Sequence, residues 1–249
     1  MNPVTSDPWE NLRQFTAARI ALGRSGHSLP TDVLLEFQRD HAQARDAVYS
    51  ELDIAKLTEE LAGVGPPILQ VQSQVQNRQQ YLQRPDWGRR LSAESRKQLE
   101  NQTYPASDLS IVIADGLSAM AVNTHAVPVV QRLIPALLER NWSLAPICLV
   151  TQGRVAIADE IGFLLHAQTV VILIGERPGL SSPDSMGAYL TFQPRPGLTD
   201  ESRNCISNIR PAGLPYDQAA EKLLYLLTQI KARQLSGVYL KDESPLLGG

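Results

Sequence analysis

The chain has 249 residues, enough for one large domain or two small ones at roughly 150 residues per domain, and enough to bury roughly 70% of its unfolded surface without a disulfide or metal staple. Hydrophobic residues at 43% and charged residues at 20% exclude a disordered chain, and a net charge of -3 argues against a nucleic-acid-binding domain. Two cysteines, Cys148 and Cys205, are too few for a disulfide framework; with no apolar run near the ~20 residues of a membrane span and a polar Met1–Trp9 unlike a signal peptide, the expectation is a soluble cytoplasmic protein.

In chain order, Asp7 and Pro8 suit an N-cap and a first helical position, and Leu12, Phe15, Ile20 and Leu22 predict a helix ending at Gly23. The segment from Pro30 to Tyr49 places Val33, Leu34, Phe37, His41, Ala44 and Val48 at three- and four-residue spacing, a second helix capped by Thr31 or Asp32. Asp53–Leu61 reads as a third, stopped by Gly63, Gly65 and Pro66–Pro67. Ile68–Val75 alternates with period two, as a half-exposed strand or an extended arm does. Tyr81–Arg90 is polar and basic, with Pro85 and Gly88 set against any helix, and Ala93–Glu100 reads as a short helix.

The pattern changes at Asp108. Leu109–Ala114, Pro146–Val150 and Thr169–Ile174 are nearly continuous apolar runs, as expected of strands buried on both faces. Between them lie a long helical segment, Ala119–Arg140, in which Pro128 and Pro135 predict kinks or breaks, and a clean helix, Ala156–His166. Tyr189–Phe192 reads as a fourth strand, Arg203–Arg210 as an irregular polar loop, Asp217–Gln234 as a helix with Leu223, Leu224, Leu227 and Ile230 inward, and Lys241–Gly249 as a frayed tail. The predicted fold is α/β: a helical N-terminal domain, residues 1–104, followed by a Rossmann-like parallel-sheet domain, residues 105–249.

In an open parallel sheet ligands bind outside the carboxyl ends of the strands, which here means the turns Asp115–Ser118, Gly153–Val155 and Gly175–Gly179. None is a dinucleotide fingerprint, a P-loop or a nucleophile elbow. His27, His41, His125 and His166 show no metal-ligand spacing, with His41 and His166 placed on helices as packed or half-exposed side chains. Cys148 falls in a buried run and reads as inert core. Cys205 lies near Arg203 and Arg210, with no evident base to activate it. Glu176 suits either ligand amides or pairing with an arginine. Tyr81–Arg90, with its tryptophan and arginines, suits a solvated loop or a protein contact.

Five blocks then carry a resemblance: Ala18–Gly26 (ARIALGRSG), Tyr81–Leu91 (YLQRPDWGRRL), Ala114–Ser118 (ADGLS), Gly175–Leu180 (GERPGL) and Cys205–Ile209 (CISNI). Together, over about Trp9 to Leu240, the chain resembles the small (light) subunit of ethanolamine ammonia-lyase. The resemblance implies an adenosylcobalamin-dependent enzyme that converts ethanolamine to acetaldehyde and ammonia. It further implies a TIM-barrel large subunit that carries the substrate site, with the small subunit expected to cover the cofactor from the other side and to be inactive alone. Carried over motif by motif, the cofactor-binding positions fall on Val155, Glu176 and Cys205, with no catalytic or metal-ligating residue in this chain. No Asp-x-His-x-x-Gly motif occurs, so the cofactor is expected base-on. The expected assembly is a hetero-oligomer in the cytoplasm or in a bacterial microcompartment, although the low-complexity N-terminal extension of some relatives is not seen. On the residues alone, a free-standing Rossmann-like hydrolase or transferase, or a structural scaffold, stands as the alternative.

Overall fold

A computed structural model describes residues 4–16 and 18–241. Six strands form one sheet in the order β1-β3-β2-β4-β5-β6: β1 (Ile68–Gln72), β2 (Ser107–Ala114), β3 (Ile147–Thr151), β4 (Ala167–Gly175), β5 (Met186–Phe192) and β6 (Arg203–Ile209). The first four in that order are parallel, and β5 and β6 add antiparallel at one end. The sheet is thus mixed rather than wholly parallel, and one of its strands, β1, comes from the first 104 residues.

The apolar runs are continuous because successive side chains serve opposite faces. Leu109, Ile111 and Ile113 of β2 join one cluster with α5 (Ala119–Leu138) and α7 (Tyr216–Arg233), while Val112 and Ala114 join the other with α4 (Ala93–Glu100) and α6 (Ile157–Leu164). Cys148 lies in this second cluster, fully buried as expected. Since β2 lies between β3 and β4, the chain leaves it one way through α5 and returns past it through α6. Ligand crevices form at such a reversal, outside the carboxyl end of the strand.

Several expectations are corrected. α5 runs unbroken through Pro128 and Pro135. Each proline costs about 3 kcal/mol in a helix interior, but burial of seven valine, leucine and isoleucine side chains along the helix contributes about 10–20 kcal/mol. Arg203–Ile209 is a strand, not a loop. A register irregularity between Met186 and Ala188 breaks its alternation, so Arg203, Ile206 and Ile209 are the buried positions. The predicted first helix is only a 3-10 segment, Glu10–Phe15, ended by extended backbone at Thr16, and Trp9, Leu12 and Phe15 stay exposed.

α1 (Thr31–Tyr49) and α2 (Ile54–Leu61) match expectation in position. α1, however, begins after Pro30 with no side-chain cap among the described residues and buries only Val33 and Ala47. α2 is capped by Asp53, which accepts from the Lys56 amide. Tyr81–Arg90 includes the end of α3 (Arg78–Gln83) and a 3-10 turn at Trp87–Arg89. His166 follows α6 in a left-handed turn, with φ of 51°, rather than lying on a helix. On α7, Leu223, Leu227 and Ile230 are buried as expected while Leu224 is half-buried. Of the predicted tail, residues 242–249 lie outside the described residues.

Candidate functional site

The turns after β2, β3 and β4 converge on a cleft of about 680 Å³ whose wall includes Gly116, Leu117, Arg154, Val155, Gly175 and Glu176. Its floor is set by Asp115, the residue after β2, which is 3% exposed. One carboxylate oxygen accepts from the Gly116 and Gly153 amides at 2.9 and 3.0 Å, and the other from the Gln152 amide at 2.8 Å. One buried side chain therefore holds the β2 and β3 turns together. Burial pushes its pKa up to about 6 despite those donors and the Arg78 guanidinium 3.8 Å away. Burial likewise lowers the pKa of Arg78.

Arg78 and Tyr81, both on α3, supply the next layer. Arg78 donates to the Val48 and Gly116 carbonyls, tying α1 and the β2 turn to α3. The Tyr81 hydroxyl donates to the Gly153 carbonyl at 3.0 Å. Its ring carries two guanidinium groups, Arg78 at 4.4 Å and Arg154 at 4.1 Å from the centroid. Arg154 also donates to the Tyr81 carbonyl at 3.0 Å. Cation–π contacts of this kind fix an arginine without neutralising it.

On the opposite wall Glu176 accepts from the hydroxyls of Ser185 and Ser207 and from the Asn208 amide. Of the two readings left open for this residue, arginine pairing is not the one found among the described residues. A carboxylate offers roughly four lone-pair sites; three are taken, and Oε1 holds a single one of those bonds. Ser118, which no motif claimed, accepts from the Ala121 amide as the N-cap of α5 and donates to the Pro183 carbonyl. It is a structural cap that ties the loop after β4 to the β2 turn.

Val155 and Glu176 therefore share the cleft, and Cys205 stands beside it. Cys205 is exposed on β6, paired across the strands with Tyr189, which lines the cleft. Partial burial of its thiol raises the pKa, and the hydrogen bond with Tyr189 opposes this. Sequence reasoning missed Arg78 and Arg154 as supports, and Ser185, Ser207 and Arg210 as part of the wall. Only Asp-Gly directly after an apolar strand hinted at the floor.

Two comparisons bear on this geometry. A family model, the ethanolamine ammonia-lyase light chain (EutC), matches residues 6–241. The chain belongs to the ethanolamine ammonia-lyase light chain family. Among curated relatives it is 56% identical over 246 residues to an ethanolamine ammonia-lyase small subunit of Azotobacter vinelandii, covering 98% of this chain and 91% of the relative. It is 55% identical over 243 residues to the one of Pseudomonas fluorescens, covering 96% and 89%. It is 55% identical over 249 residues to that of Ralstonia nicotianae, covering 98% and 92%. Membership in this light-chain family makes the chain the small subunit of a lyase, and the name small subunit implies a large one. No helix among the described residues is long and apolar enough to cross a membrane. No group of three or more histidine, cysteine or acidic side chains among them is placed to hold a metal ion.

Proposed function

We propose that this light chain binds adenosylcobalamin in the cleft at the carboxyl ends of β2, β3 and β4, forming half of a pocket that the large subunit completes. The reaction assigned to the holoenzyme is conversion of ethanolamine to acetaldehyde and ammonia. Bound there, the cofactor supplies radical chemistry from its cobalt–carbon bond; the protein supplies binding, orientation and shelter from water. The observation that carries the reading is the position of Val155 and Glu176 on the wall of this one cleft.

Two features of the wall fit a corrinoid, whose rim bears amide side chains. The open acceptor site on Glu176 Oε1 can take an amide N–H, while Ser185 and Ser207 hold the carboxylate in place. On the facing turn, Arg154 lines the wall with no ion pair among the described residues. Val155 offers apolar contact beside it, and Cys205 extends the surface over β6.

The partner is supported by the half-open shape of the cleft and by apolar side chains that a free chain leaves in water: Trp9 at 67% and Phe15 at 79% exposure, with Leu34, Leu35 and Phe37 on α1. The holoenzyme is assigned to the cytoplasm, free or within a bacterial microcompartment, in keeping with two free cysteines. The cofactor is assigned base-on, and nitrogen coupling from a protein histidine in the Co(II) resonance spectrum would contradict this.

The test is reconstitution of this chain with a large subunit. Turnover is expected only when both chains and adenosylcobalamin are present, and Glu176→Ala is expected to weaken cobalamin binding about tenfold. Turnover by this chain alone would favour a free-standing enzyme instead. Unchanged cobalamin affinity in both Glu176→Ala and Cys205→Ala would leave the cleft a scaffold.

A further inference from the structure

The charges around the cleft do not balance. Its wall holds three guanidinium groups, Arg154, Arg177 and Arg210, against one carboxylate, Glu176. That carboxylate is occupied by hydroxyl and amide donors rather than by an arginine. Arg210 is matched by Asp184 at 3.3 Å. Arg154 and Arg177 have no ion pair among the described residues.

Arg154 is also held in place. Its backbone amide donates to the Gly88 carbonyl at 2.7 Å, its Nη2 to the Tyr81 carbonyl, and its plane lies over the Tyr81 ring. Its Nε stays buried with no partner. That atom is sealed from the cleft; Nη1, which makes no hydrogen bond among the described residues and is not sealed off, is the donor the cleft can reach, and a guanidinium held on one side offers the other to the oxygens of a phosphate.

We infer that Arg154, assisted by Arg177, forms an anion subsite in the cleft that takes the phosphodiester of the corrinoid's nucleotide tail. This rests on the corrinoid reading above and adds to it a division of the cleft. Glu176 and the hydroxyls around it face the amide-bearing rim, and the arginine side faces the one anionic group of the ligand. Tyr81 is a positioning residue that holds Arg154 without cancelling its charge.

The test compares two ligands that differ in the phosphate alone, cobinamide and cobinamide phosphate, by equilibrium binding to the assembled complex of both subunits. The wild type is expected to prefer the phosphate form by roughly 10- to 100-fold, and added inorganic phosphate to weaken that form only. Arg154→Met is expected to bring the preference near one while leaving cobinamide affinity within about twofold, and Arg154→Lys to keep part of it. Should Arg154→Met fail to assemble, Arg177→Ala, which alters an exposed side chain, is expected to reduce the preference severalfold on its own.

An equal loss for both ligands in Arg154→Met would mean that Arg154 only supports the turn, and would overturn the inference. So would a wild type without preference, or a preference that neither variant moves. Failure of the corrinoid reading looks different: cobinamide affinity would then be absent, or indifferent to Glu176→Ala.

Discussion

Gly116 and Gly175 meet backbone to backbone at the rim of the cleft. A Cβ on Gly116 would lie 2.2 Å from the Gly175 carbonyl oxygen, and one on Gly175 would lie 2.1 Å from that of Ser118. Gly116 also has a φ of +58°, a conformation that disfavours any side chain. The Leu117 amide closes the contact by donating to the Gly175 carbonyl at 2.9 Å. Gly116→Ala is therefore expected to destabilise the chain by about 2–5 kcal/mol through overpacking and left-handed strain, read as a lower urea midpoint. A midpoint equal to the wild type would mean that the two turns separate without cost.

Asp115 gives a pH test with a definite sign. Its native pKa of about 6 lies above the ordinary carboxylate value of 3.8, so the native state holds the proton more tightly than the unfolded one. The stability it adds is full below about pH 4 and is lost as pH rises through 6. Asp115→Asn lacks this dependence. Relative to the wild type it should gain about 3 kcal/mol between pH 4 and pH 7.5, measured by urea unfolding at the two values. A relative loss over that range would show that the three amide donors outweigh burial.

Arg203 and Asp159 form an ion pair buried on both sides, joining β6 to α6. Removing one partner strands the other charge in the core. Arg203→Met is expected to cost about 3–5 kcal/mol, and the double change Arg203→Met with Asp159→Leu to recover most of it. The comparison is a double-mutant cycle of thermal or urea unfolding. Additive losses would remove the pair from any role in holding β6.

The two thiols should separate by alkylation followed by mass spectrometry. Cys148 is fully buried with its pKa pushed up to about 12, while Cys205 is exposed with a pKa raised more modestly by burial. Cys205 should react slowly at pH 7 and faster as pH rises, and Cys148 only after unfolding. In the assembled complex, bound cobalamin should slow Cys205 labelling at least severalfold. Labelling unaffected by the cofactor would take Cys205 out of the binding surface.

What the sequence makes legible follows from how locally each feature is encoded. β2, β3 and β4 announce themselves because both their faces are buried, and the turns after them carry the glycines that a close approach needs. β6 is concealed because it lies at the sheet edge with polar outward positions and a shifted register. The antiparallel direction of β5 is written in the connection before it: the ten residues 176–185 contain no helix, and a parallel crossover takes a dozen or more. The expected helix near the N-terminus fails because Leu12 and Phe15, though well spaced, have no core to face. In the site, Glu176 stands out beside Arg177. Its true partners lie on the loop before β5 and on β6, and the supports Arg78 and Tyr81 lie on α3, joined to the cleft by contacts that no short motif records.

The position of β1 has a consequence for how this molecule is divided. It seals the outer edge of β3 through a register running from Ile68–Ile147 to Gln72–Thr151, while Arg78 and Tyr81, a few residues later, grip the cleft turns. A fragment beginning at residue 105 would keep the sequence of the binding rim but expose a raw row of amides and carbonyls along β3. The leading third of the polypeptide is thus less an appendage than the last plank of the sheet and the clamp on its mouth.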